Sequence, residues 1–201
     1  MSVRLSDEGT APSRTKDVAE SATRAKLAAA PTRGAWLGVL GDVRLLLIAL
    51  WLGGAVFFSF VVAPTAFAVL PTHELAGRVV THTIAVVNVG GCIVGLALLA
   101  SAFFDRRDVA RSRARLVEVL SLAIVAAACG IGHWVVAARM VALRAAMGRP
   151  IDAVAADDPT RAAFNSLHGY SVGLMGVAML AGVVALLLIG RRRRMTQSLE
   201  R

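Results

Sequence analysis

Polar residues in this chain come in blocks, and between them run four stretches that are almost wholly aliphatic: 45–70, 83–104, 116–138 and 171–190. A helix needs about 20 mostly apolar residues to cross roughly 30 Å of hydrocarbon, and every one of these stretches reaches that length. The third carries Glu118 and His133, both close to its ends. The pattern predicts an all-α polytopic membrane protein, a bundle of four antiparallel spans.

Finer spacing within each stretch predicts how the helices meet. In the first, "LLLIALWLGGAVFFSFVVAPTAFAVL", Gly53 and Gly54 would let a neighbouring backbone come close. Pro64 lacks an amide proton and frees the carbonyl of Phe60, so a kink is expected there. In the second, Thr81, Ala85, Asn88, Cys92 and Gly95 recur at fours and threes and share one face. Gly91 and Gly95 make a GxxxG pair, and Asn88 should turn to protein and bond across helices.

The third and fourth helices are expected to outrun the bilayer. Glu118, Val125, Cys129, Gly132 and Met140 fall near one face, with His133 beside it. Beyond Trp134 the helical period persists through Val136, Met140, Leu143 and Met147, with Arg139 and Arg144 off that stripe, until "GRP" at 148–150 stops it. Asp158 followed by Pro159 is an N-cap and first-turn signature. A helix from Pro159 to Gly190 would be roughly 48 Å long, so "RAAFNSLHGYS" becomes its overhang. Along it Arg161, Asn165, His168, Val172, Met175, Met179 and Gly182 keep a four-and-three spacing.

Composition agrees with the pattern. Of the 201 residues 57% are hydrophobic and only 17% charged, too apolar a balance for an ordinary soluble domain. The net charge of +9 would suit a nucleic-acid partner, but its placement excludes one. Seventeen of the 22 Lys and Arg lie before Leu45, between Asp105 and Arg115, or after Gly190; Arg78, Arg139, Arg144, Arg149 and Arg161 occupy the other two connections. The positive-inside rule then puts both termini in the cytoplasm of a multi-pass protein of the cell membrane, a bacterial inner membrane. The "RRRR" at 191–194 reads as an anchor against anionic lipid. Domain limits follow as a polar cytoplasmic tail over 1–40, a membrane domain over 41–192 and a basic tail over 193–201. No cleaved leader is expected, since the first apolar run is too long for a signal core and "AFA" at 66–68 is a weak cleavage site.

Candidate chemistry is sparse. Cys92 and Cys129 both sit inside spans, as small packing residues rather than a disulfide framework or a redox motif. All four His map to one side of the membrane, and His82, His133 and His168 with Arg139, Arg161, Asn165 and Ser171 form a candidate outer polar cluster. The plain reading is imidazoles hydrogen-bonded at the wet edge of a bilayer. A haem or copper site using His82, His133 and His168 is the alternative, although none has a second His at ligand spacing on its own helix. Met175 and Met179 offer thioethers to Cu(I), or simply packing. No nucleophile with its base, phosphate loop or dinucleotide fingerprint is present.

Four blocks, "WLGGAVFFSFVVAPTAF", "LAGRVV", "RMVALRAAM" and "DDPTRAAFNSLHGYSV", resemble the transmembrane protein 205-like family over residues 44–190. The most specific part is the pattern of Asp158, Pro159, Arg161, Phe164, Leu167, His168 and Ser171; Asn88, Cys92 and Cys129 are not among the matching positions. The resemblance implies a four-helix membrane protein and brings no established reaction.

The expected function is therefore non-enzymatic: an accessory or small-ligand-binding membrane protein with a polar outer mouth. A haem- or copper-handling protein and a structural subunit of a membrane complex are the alternatives. Partners are the lipid bilayer and either a second copy or another membrane protein. The charge split makes a direct prediction. Reporter fusions at the C-terminus and within 150–158 should report opposite compartments, and a cytoplasmic signal from 150–158 would remove the four-span topology.

Overall fold

The apolar stretches fold as helices that run past their own hydrophobic limits. The computed structural model describes residues 33–104 and 113–199, so most of the 1–40 tail lies outside the described residues. Four helical spans are long and apolar enough to cross a membrane: Gly38–Val69, His73–Ala102, Arg113–Met147 and Pro159–Arg192. No strand occurs among the described residues. The protein is an all-α, multi-pass membrane protein.

Local chemistry explains where the helices start and stop. Thr72 accepts a hydrogen bond from the Leu75 amide at 3.3 Å and opens the second span. The third ends at Gly148, whose φ of +60° is a left-handed cap that suits glycine. Asp158 takes the Thr160 amide proton at 2.7 Å, which opens the fourth span at Pro159. That same amide holds the Asp158 carboxyl below the usual carboxylate range. The fourth helix continues to Leu199, so its register passes through the Arg run into the segment expected to be a tail.

Two spans carry a π-helical turn. In the first it covers Phe58–Val62, and the Ala63 amide bonds back to the Phe58 carbonyl. This wide turn sits where the Pro64 kink was expected, immediately ahead of the residue that cannot donate. In the third it covers Ile131–Ala137, between the α-helical segments Arg113–Gly130 and Ala138–Met147.

Packing is tightest around Trp51, whose side chain lies against second-span and fourth-span glycines. Its indole N–H donates to the Val87 carbonyl at 3.0 Å. A Cβ on Gly91 would fall 2.5 Å from both Trp51 Nε1 and Cys129 Sγ, and one on Gly182 would fall 3.0 Å from the indole ring. Gly95 abuts the Ala126 backbone just as closely, at 3.0 Å. Gly91 and Gly95 thus permit contacts that a larger residue would block. Gly53 and Gly54 do not. Both are exposed with nothing within 4 Å of a built Cβ, because Trp51, Leu52 and Ala55 present the opposite, buried face of that helix.

At the end of the bundle where the first and third spans begin and the fourth finishes, three charges meet. Glu118 is only 1% exposed; Arg44 reaches it at 2.6 Å and Arg192 at 3.1 Å. We call this the terminal end. The opposite, loop end is tied by His73 and Asp152, whose Nδ1 and Oδ2 lie 3.1 Å apart across its two connections.

Removing one member of a buried ion pair strands the other, at a cost of about 3–5 kcal/mol. Glu118→Leu should lose that much, because it leaves the buried Arg44 guanidinium uncompensated. Arg192→Gln should lose clearly less, since its side chain is 30% exposed and can turn to water. Unfolding in detergent micelles reads both; equal losses would contradict the assignment of Arg44 as the principal partner.

Candidate functional site

In the loop-end half the four spans part around a cavity of about 590 Å³. Its wall is mainly apolar, with Phe58, Pro64, Ile84, Met140, Met175 and Met179 contributing. Six polar side chains also line it: Ser59, Thr81, Asn88, Arg144, His168 and Ser171. None of the lining residues is an Asp or Glu. Size and composition are those of a small-molecule site, apolar with a few placed polar groups.

Both π turns border this space. Phe58 and Ser59 come from one, Gly132 and Ala137 from the other. Such wide turns recur at functional sites in helical proteins. Opposite Gly132 stands Asn88, whose Nδ2 would lie 3.2 Å from a Cβ built there. Asn88 is 5% exposed and lines the cavity, yet its amide makes no hydrogen bond to any described residue. The bond across helices expected of it is absent for a physical reason. Its neighbour across the helices is a glycine, with no side chain to offer.

Arg144 stands nearer the loop end. Its guanidinium lies over the Phe164 ring at 5.3 Å, and Nη2 would be 3.7 Å from a Cβ on Gly77. It has no carboxylate partner among the described residues. Thr81 is satisfied within its own helix by donating to the Gly77 carbonyl at 2.6 Å.

The outer cluster expected from sequence is divided by the structure. His168 and Ser171 line the cavity. Asn165, His82 and Arg139 are exposed and lie outside its lining. Arg161 turns back to donate to the Val154 carbonyl at 2.5 Å, pinning the connection between the third and fourth spans. His133 is half-buried outside the lining, edge-on to Trp134 at 5.0 Å, with Nδ1 buried and unpartnered. Among the described residues no three His, Cys, Asp or Glu side chains gather as metal ligands. Of His82, His133 and His168, only the last lines the cavity; helix phase turns the other two to different surroundings.

Sequence reasoning missed Arg144, which an α-helical stripe through Met140, Leu143 and Met147 leaves to one side. A signal was available: Gly132, Val136, Met140 and Arg144 recur strictly at fours, the spacing of a helix wound more loosely than α.

A family model described as a domain of unknown function, DUF4149, matches residues 46–149. The chain belongs to that family. The matched region takes in most of the first three spans, Trp51, Asn88, Glu118, Gly132 and Arg144 included; the fourth span follows it. No curated protein and no solved structure shows significant similarity to the chain.

The unpartnered amide yields a test. Asn88→Leu should leave stability in detergent unchanged or raise it, because the Asn88 amide opens onto the cavity and makes no protein hydrogen bond that the substitution would remove. A loss of roughly 0.5–2 kcal/mol, as for an interhelical hydrogen bond, would contradict this placement.

Proposed function

We propose that this is a non-enzymatic membrane protein that binds a small ligand in the cavity of its loop-end half. One observation carries the reading: Asn88, buried and without a protein partner, faces an apolar space large enough for a ligand. A buried amide in a membrane domain is costly unless something meets it. The bundle supplies nothing, and a bound molecule would. The charge split supports an orientation with the cavity on the outer side of the cell membrane and both termini cytoplasmic. It also supports the tails as cytoplasmic segments flanking the 41–192 domain. Kinship with transmembrane protein 205-like proteins belongs to the same reading, because His168 and Ser171 of the resembling pattern line the cavity.

A second reading, a subunit of a homo-oligomer or membrane complex, is favoured by Gly53 and Gly54. They are adjacent, exposed and free to admit a helix from another chain. The haem or copper reading gains nothing from the placement of the three His.

Gly176 supplies the decisive variant. It lines the cavity with open space around a built Cβ, so Gly176→Leu obstructs the site without a backbone clash. Purified wild type should carry a small molecule at near one per chain, seen by native mass spectrometry and extraction. Gly176→Leu should fold equally well and carry none. The same content in both proteins overturns the reading.

A further inference from the structure

We infer that the ligand is a single-chain, two-ended amphiphile, anionic at the end held by Arg144 and carrying a neutral hydrogen-bonding group at the end that meets Asn88. The inference rests on the cavity being a ligand site and names the chemistry the site would accept.

Charge sets the first end. Arg144 is half-buried at the rim, has no carboxylate partner among the described residues, and faces a lining without an acid. His168 and Ser171 stand on the same lining as further donors. A half-buried cation without a carboxylate partner favours an anionic group, to which guanidinium gives paired, charge-assisted hydrogen bonds. The contact with Phe164 orients the guanidinium without neutralising it.

Asn88 sets the second end. It is uncharged and 5% exposed, and its amide both donates and accepts, so it pairs with a hydroxyl or carbonyl rather than a second charge. Asn88 lies level with Gly132, twelve residues before Arg144 along the third span. Counted along the unbroken α-helix of the second span, from Asn88 to Gly77 beside the Arg144 guanidinium, eleven residues at 1.5 Å each place the two ends about 17 Å apart, the reach of a long alkyl chain. The wall between is mostly apolar, and 590 Å³ has room for one such chain.

Three matched probes test this on the full-length protein in non-ionic detergent, titrated by native mass spectrometry. ω-Hydroxypalmitate has both ends, palmitate lacks the inner hydroxyl, and hexadecanediol lacks the charge. Wild type should bind ω-hydroxypalmitate at least about tenfold more tightly than either of the others. Arg144→Gln should erase the advantage over the diol, and Arg144→Lys should restore most of it. Asn88→Leu should erase the advantage over palmitate. Gly176→Leu should bind none of the three. Equal binding of all three to wild type, or an advantage that survives its own variant, overturns the two-ended ligand while leaving the cavity reading intact. If Gly176→Leu binds all three as wild type does, the cavity reading fails instead.

Discussion

A carboxylate that is 1% exposed in a membrane domain has to be met by positive charge, and the way Glu118 is met organises the bundle. Its partners come from the start of the first span and the end of the fourth, so Arg44 and Arg192 fix two helices against the third at one level. From that level the helices run together through a core of small residues, with Trp51 seated between Gly91 and Gly182. The terminal half is therefore closed by charge and by close contact. Freed from that constraint, the loop half opens into a cavity. Its ends are held by lighter ties: His73 with Asp152, Arg161 with the Val154 carbonyl, and Arg144 over Phe164.

Much of the fold was legible in the sequence, because hydropathy and caps are local. The four spans, the stop at Gly148 and the Asp158–Pro159 start depend on residues within a turn of one another. The seam through Asn88, Cys92 and Gly95 was legible too, since a straight α-helix keeps its phase. What escaped depends on distant partners. Glu118 reads as a polar residue near a boundary, and each of its arginines lies 74 residues away in sequence. The glycines make the same point. Gly53 and Gly91 look alike on the page, and only the position of Trp51 decides that one faces lipid and the other an indole.

The candidate site was half legible, and the missing half has a geometrical cause. His168 and Ser171 were singled out as polar groups at the mouth of an apolar run, and both line the cavity. Arg144 falls off the cavity wall when phase is counted on a straight α-helix. The π turn at Ile131–Ala137 changes that phase and brings Gly132, Met140 and Arg144 onto one wall. The cost of an amide in hydrocarbon marks Asn88 in the sequence, but the structure turns it to the cavity rather than to a partner on another helix.

A π turn is an α-helix that accommodates one extra residue, since its hydrogen bonds close over five positions instead of four. Two such turns, in separate helices, border the same cavity. Each corresponds to a single codon. Deleting either extra residue would rotate everything beyond it by about a quarter-turn and carry the lining residues that follow off the cavity wall. The hydropathy profile would hardly change along the way. The lengths of the first and third spans, as much as the identity of any lining residue, therefore shape this cavity.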